Sequence, residues 1–537
     1  MTAGPFSAAL NPPGAALTAA RRRVPRWAGP ALLALAGAGF VTLAGWHGKD
    51  FSASTYRIDQ FRDQGFVVWD PTWYGGNYPL GYSLAFPAIG ALLGLRLAGM
   101  VAAAVCAGAF DALLRRHWTR RPLGSWFFAL STILEVGIGQ FPFLVGEAFG
   151  LLALVAMARR WRVVSAVAGL VAGACSGVAA VFLAIAALGW AWHARDRRPS
   201  LLALAVAPLA LVGVGNAAFP GTGSFPYPAA GMWLSLATAA AVLVPALHAP
   251  PALKAGAAVY AAVVAGSFLV SSPVGGNASR LAQQFGVPLV LCLLAPSVPA
   301  RWRAAVGAGL VVLVLWQWSP GVNVVDRVSR SAATVPSYYR PLNAAIAAAA
   351  PGPVRLEVVP TEQHWESVYV APGDVLARGW ERQLDIAHNP LFYGAPLTAA
   401  TYRAWLVSNG VSFVALPAAP LDYAAEREGA LLRAGTTPGL TLVWSSPAWH
   451  LWRVEGSPGL VSGPARLSSV RPDGVSLQAA GAGTVIIRVR WTPHWSVATG
   501  AACIAPAAGG WTTVNAARSG VIRLVATFDP LGGTGHC

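Results

Sequence analysis

Apolar and polar positions along this chain alternate in blocks sized for a lipid bilayer. A helix needs about 20 apolar residues to span the hydrocarbon. Runs near that length occur at 27–46, 96–115, 124–138, 141–157, 200–218, 231–249, 253–271, 281–298 and 302–318. The stretch 163–192 is too long for one span, and "GACSGV" in its middle predicts two short helices. The pattern therefore predicts about 11 crossings. "LGYSLAFPAIGALLG" (80–94) is short, aromatic and interrupted by Pro87, so it is expected to lie flat on the membrane surface.

Near residue 319 the pattern changes. "PVRLEVVP", "TYRAWLVSNGVSFVALP" and "LTLVWSSPAWHLWRVEG" predict a strand, a helix followed by a strand, and a hairpin, which together make a small α/β unit over about 340–455. From 464 onward, "GVSLQAA", "GTVIIRVRW", "WTTVNA" and "GVIRLVATF" alternate with Gly and Pro, as in a small β-sandwich. The expected class is a polytopic α-helical membrane protein with an external α/β unit and sandwich. Its parts are a cytoplasmic tail over 1–26, a transmembrane domain over 27–318, an α/β domain over 319–455 and a β-sandwich over 456–537. Within the transmembrane domain, 47–95 forms the first external loop.

Composition agrees with this class: 55% of the 537 residues are hydrophobic and 11% charged, against about a quarter charged in soluble domains. The net charge of +17 would suit nucleic acid if the cations formed a patch, but they fall in short loops between apolar runs. One set of loops holds Arg21–Arg23 and Arg26, Arg115, Arg116, Arg120, Arg121, Arg159, Arg160, Arg162, Arg195, Arg197, Arg198, Lys254, Arg301 and Arg303. The other set holds Lys49, Arg57, Arg62 and Arg280. The positive-inside rule then places the N-terminus in the cytoplasm, and the first loop and C-terminal region outside. A crossing at 80–94 would invert every later loop. "RRRVPR" precedes an apolar run with no small-residue cleavage site, so a retained signal-anchor helix is expected. Cys106, Cys175 and Cys292 fall in apolar runs, whereas Cys503 and Cys537 can pair if the C-terminal region faces an oxidising compartment.

No Walker loop, H-E-x-x-H, G-x-S-x-G or strand-linked G-x-G-x-x-G occurs. "HGKD" (47–50) lacks the rest of a phosphate loop, which argues against ATP-driven transport. The chemistry-bearing residues gather in the first external loop. Asp59 and Asp63 share a face if that piece is helical, with Asp70 further on. Trp69, Trp73, Tyr74 and Tyr78 are interfacial aromatics suited to holding a substrate. Glu135 and Glu147 lie toward the outer ends of their spans, where a carboxylate costs about 2.5–3.5 kcal/mol on the lenient insertion scale and calls for a polar cavity, a cation or a metal. Arg280, in "SSPVGGNASRL", suits a phosphate or simple interfacial anchoring. Asp111 is expected to pair with neighbouring arginines. In the sandwich, "WTPHW" and "GGWTTV" serve either as sugar-stacking aromatics or as core.

A first-loop acid, then "YPLGYS" on a surface helix and the G-x-R-L-A pattern "GLRLA" (94–98), resembles the GT-C superfamily of integral-membrane glycosyltransferases. "RGWERQLD" (378–385), "NPLFY" (389–393) and "VRWTPHW" (489–495) are similar to large multi-pass actinobacterial proteins with an external α/β and β-sandwich tail. The resemblance implies sugar transfer from a polyprenyl-phosphate donor to a cell-envelope glycan or glycolipid on the extracytoplasmic face. It implies Asp59 as general base, with Asp63 in reserve. The chain lacks the family's adjacent acidic pair. Arg280 would stabilise the leaving phosphate, with a divalent cation (Mg2+ or Mn2+) near Glu135 and Glu147 as a candidate helper. The alternatives are a transporter or flippase of an envelope lipid or solute, and a non-catalytic assembly protein on the same scaffold. A transporter would show midplane charges and two related halves; the acids here sit toward the edge and no halves are evident.

Overall fold

A computed structural model describes residues 28–73, 83–117, 123–219, 223–244, 249–293, 300–328, 331–371, 373–379, 381–394, 396–528 and 533–537. The helical part comprises α1 (Ala28–Leu43), α2 (Phe51–Gln64), α3 (Phe86–Leu93), α4 (Leu95–His117), α5 (Leu123–Ile138), α6 (Phe141–Ala158) and α7 (Arg162–Cys175). It continues with α8 (Gly177–His193), α9 (Arg198–Ala218), α10 (Ala229–Leu243), α11 (Pro251–Leu269), α12 (Ser279–Leu293) and α13 (Ala300–Val328).

Among the described residues, four helical stretches are long and apolar enough to cross a membrane: Leu95–Arg116, Phe141–Ala158, Arg195–Ala218 and Pro251–Leu269. Six further apolar helices are shorter, at 10–17 residues. The count of full-length spans is thus lower than the hydrophobic runs predict. The reason is that part of several runs is spent on turns. The run 27–46 yields a helix that ends at Leu43, and the run 231–249 one that ends at Leu243. A 16-residue helix such as α1 is only about 24 Å long. The spanning helices also face outward with apolar side chains: only 22% of the α9 window and 17% of the α11 window is buried inside the protein.

The break within 163–192 falls at Ser176, whose backbone is extended (φ −158°, ψ 123°). Its hydroxyl accepts from the Ala179 N–H at 3.4 Å and so caps α8. The amides of Leu84 and Ala85 donate to the Ala174 carbonyl at 2.8 and 3.0 Å, which satisfies the end of α7. Segment 83–85 is thereby pinned over the α7–α8 corner, just ahead of the short helix α3. Small residues let helices meet closely: a Cβ on Gly189 would lie 2.7 Å from the Gly256 backbone.

Beyond α13 come α14 (Pro336–Ala349), β1 (Arg355–Val358), α15 (Glu366–Tyr369), β2 (Val375–Leu376), α16 (Arg382–His388), α17 (Ala399–Ser408), β3 (Phe413–Pro417), α18 (Glu426–Arg433), β4 (Leu440–Ser445) and β5 (Trp449–Val454). Their five strands form one sheet in the order β2-β1-β3-β5-β4. β1 runs parallel to β2 and β3, and the β4–β5 hairpin adds antiparallel. Next follow β6 (Val461–Ser462), β7 (Ala465–Arg471), β8 (Gly474–Ala479), β9 (Gly483–Arg490), β10 (Trp495–Thr499), β11 (Ala502–Pro506), β12 (Trp511–Ala516) and β13 (Gly520–Ala526). They make two four-stranded antiparallel sheets, β10-β13-β8-β7 and β11-β12-β9-β6. The strands' buried residues alternate with outward ones and meet in one cluster around Leu477, Ile487, Trp495, Val514 and Leu524. A disulfide ties Cys503 of β11 to the terminal Cys537.

The helical part and the five-stranded sheet share a single core. Tyr56 and Trp73 of the first loop pack in the same cluster as Phe141 of α6 and Leu356, Trp365 and Trp449 of the sheet unit. The sheet unit therefore sits directly on α2 and on the segment that follows it, where the Leu376 amide donates to the Thr72 carbonyl at 3.1 Å.

Candidate functional site

The site begins with "HGKD", the four residues before α2. Gly48 is pressed against the end of α5, so that a Cβ there would sit 1.9 Å from the Ile138 carbonyl oxygen. Only glycine allows this approach. The Asp50 amide reaches the same carbonyl at 3.4 Å. Phe51 then stacks edge-on against Phe141 at 4.9 Å. Close packing of the turn on α5 and α6 thus fixes Asp50 at the C-terminal end of α5, where Glu135 also lies.

Below it is a polar chamber of about 160 Å3, lined by Ser131, Glu135 and Ile138 of α5, Gln140, Arg280, Gln283 and Gln284 of α12, and Gln317 of α13. The Arg280 guanidinium lies 5.6 Å from the centre of the Phe143 ring, and makes no ion pair or hydrogen bond with the described residues. Its charge reaches both Asp50 and Glu135. Burial raises the Asp50 carboxyl above its ordinary value, and the charges of Arg280, His364 and Lys49 oppose that shift. Gln317 donates to Ser131 Oγ at 2.6 Å, and Gln284 donates to Glu147 at 2.7 Å.

Glu147 also lines a second cavity of about 610 Å3 between α6, α8, α10, α11 and α12. Its walls are almost wholly apolar, among them Phe182, Ile185, Val242, Tyr260, Phe285 and Leu289, and it extends to Trp190 and His193 at the far end of α8. The Glu147–Gln284 bond stands where the polar and apolar cavities meet.

The sheet unit covers the "HGKD" turn. Lys49 pairs with Glu362 at 3.3 Å, and the His47 and Trp365 rings meet edge-on at 6.1 Å. His364, between those two contacts, adopts a left-handed backbone (φ 57°). Its ring nitrogens face Glu366 at 3.3 Å and Asp422 at 3.5 Å. Burial alone would lower the His364 pKa, but the bonds to Asp422 and Glu366 and their charges outweigh it and raise it. Arg382 holds Asp422 from behind with two bonds of 2.9 Å.

The structure separates the residues expected to act together. Glu135, Glu147 and Arg280 gather around the two cavities. Asp59 does not join them: its side chain is 51% exposed, and it pairs with Arg62 at 3.4 Å. Burial raises its carboxyl, with Arg62 opposing. Asp63 is exposed in the next turn. The cause is helix geometry, since α2 leads away from the chamber and Asp59 lies about 14 Å along it from Asp50. Neither carboxylate is among the residues that line the chamber.

Asp70 is structural. It is fully buried and accepts from Tyr56 Oη, Gln60 Nε2 (2.6 Å), the Thr72 amide (2.8 Å) and the Thr72 hydroxyl (2.7 Å). Trp73 is 1% exposed and packs on Tyr56, and the partly buried Trp69 packs against the sandwich core. Tyr74 and Tyr78 lie outside the described residues. Trp495 belongs to the sandwich core, whereas the buried Trp511 ring lies against the guanidiniums of Arg490 at 4.0 Å and Arg355 at 5.2 Å. Asp111 pairs with Arg115 at 2.5 Å. Arg96, at the start of α4, is a further basic residue near the "HGKD" turn, where it contacts His47 and the Thr42 carbonyl.

Asp50 is the functional candidate that sequence reasoning missed, because "HGKD" reads only as a failed phosphate loop. The signal was available in its place at the end of the first apolar run. Among the described residues no three His, Cys, Asp or Glu side chains come together as metal ligands. No model of a known protein family matches the chain, and no curated protein matches it in sequence.

Proposed function

We propose that this protein is an integral-membrane glycosyltransferase that moves a sugar from a polyprenyl-phosphate donor to a cell-envelope glycan or glycolipid on the extracytoplasmic face. One observation carries the reading: an apolar cavity of about 610 Å3 adjoins a polar chamber lined by Arg280, with Glu147 and Gln284 at the join. A prenyl chain suits the first, and a phosphate beside the guanidinium suits the second.

In this reading all the apolar helices cross the membrane, the shorter ones in a locally thinned bilayer. The N-terminus is cytoplasmic and the sheet unit and sandwich lie outside. Asp50 replaces Asp59 as the general base. It takes the proton from the acceptor hydroxyl as that oxygen attacks the anomeric carbon, an effect worth roughly 10²–10⁴ in rate. Arg280 stabilises the charge left on the departing phosphate.

The test is turnover by the purified chain in lipid nanodiscs, supplied with synthetic polyprenyl-phosphate sugars and envelope glycan acceptors and read by mass spectrometry. Product that disappears in Arg280→Ala supports the reading. No product from any donor, or full activity in Arg280→Ala, contradicts it.

A further inference from the structure

The polar chamber supplies mainly one half of the hydrogen bond. Five buried side-chain oxygens in and beside it have no donor among the described residues: Glu135 Oε2, Gln140 Oε1, Glu147 Oε1, Gln284 Oε1 and Gln317 Oε1. Glu147, Gln284 and Gln317 are at most 6% exposed. The two inner amides are fixed in orientation by their partners. Gln284 Nε2 donates to Glu147 Oε2, and Gln317 Nε2 donates to a Ser131 hydroxyl whose own proton goes to the Phe127 carbonyl. Both amide oxygens are therefore left over. Buried acceptors are rarely left without donors, and this many together suit an occupant rich in O–H groups.

We infer that this chamber binds the hydroxylated ring of a sugar, with its O–H groups donating to Glu135, Gln140, Gln284 and Gln317. The chamber's 160 Å3 is several times the roughly 10–15 Å3 that one water requires, so there is room for a ring. A bare cation fits less well, because the Arg280 guanidinium already lines the same space. A hydroxylated ring needs no charge balance, and an anionic group attached to it would meet Arg280. That the ring is the one transferred rests on the transferase reading; its binding here does not.

The test is saturation-transfer NMR and titration of D-glucose, D-mannose and D-arabinose against the intact protein in nanodiscs. At least one sugar is expected to receive saturation on its ring protons. Gln317→Leu should weaken that sugar about tenfold, while Gln317→Glu, which keeps an acceptor, and Asp63→Ala, at an exposed residue away from the chamber, should bind as wild type. Loss in both Gln317 variants would mark a folding defect, and Gln140→Leu, expected to weaken binding similarly, then decides. No transfer from any sugar, or equal binding in Gln317→Leu and Gln140→Leu, overturns the inference. So does Mg2+ or Mn2+ binding with the same sensitivity to Gln317→Leu. Turnover without ring binding removes the chamber as the sugar site and leaves the transferase; ring binding without turnover does the reverse.

Discussion

Gln284 donates to Glu147 across the helix pair α12–α6 at 2.7 Å, and that bond is the seam between the polar chamber and the apolar cavity. Removing the amide leaves a buried carboxylate with no donor. Gln284→Leu is expected to destabilise the protein by about 1–3 kcal/mol. Thermal unfolding in detergent checks this, and Glu147→Gln in the same background should restore much of the loss, because the neutral amide is cheaper to bury.

Gly48 sets the position of Asp50. A methyl group at that residue meets the Ile138 carbonyl at 1.9 Å, and the turn must move away from α5 to relieve the contact. Gly48→Ala should therefore cut turnover at least tenfold while leaving the melting temperature of the external units nearly unchanged. Parallel activity and calorimetry measurements separate the two effects.

Asp70 anchors the remainder of the loop through bonds from Tyr56, Gln60 and Thr72. Asp70→Ala leaves those donors buried and unpaired, at about 1–3 kcal/mol for the group as a minimum. Protease cutting within 65–73 should rise sharply in the variant, and Asp63→Ala, an exposed neighbour, should leave it unchanged.

The membrane blocks, the sheet unit and the sandwich are legible because each leaves a period in the sequence. "GACSGV" marks the α7–α8 corner, where Ser176 caps and small residues let the helices turn. The site is less legible. Glu135, Glu147 and Arg280 stand out as charges within apolar surroundings, but Asp50 does not, because its position depends on Gly48 touching Ile138, a contact 90 residues apart in the chain. Asp59 draws notice through its spacing from Asp63, yet the helix that carries it runs away from the chamber. Trp69 and Trp73 look interfacial in sequence and are instead used to seat the sandwich and the sheet unit on the loop.

His364 ties the sheet unit to pH. Its folded pKa lies above the ordinary 6.5 because Asp422 and Glu366 face its ring. Asp50 and Arg382 are the other charges nearby, Arg382 acting through Asp422. The imidazolium contributes stability that is fully present below 6.5 and is lost as pH rises through the raised folded value. Asp422 shifts the opposite way, so its contribution is present above its ordinary 3.8 and is lost only in acid. The sheet unit should melt lower at about pH 9 than at about pH 6, and His364→Gln should flatten that difference.

The most direct measurement compares Asp50→Asn with Asp59→Asn in the nanodisc transferase assay with a polyprenyl-phosphate sugar. Asp50→Asn is expected to lose roughly 10²–10⁴ in rate, with Asp59→Asn within about twofold of wild type. Full activity in Asp50→Asn, or loss confined to Asp59→Asn, would contradict a base held beside Arg280 at the mouth of the chamber.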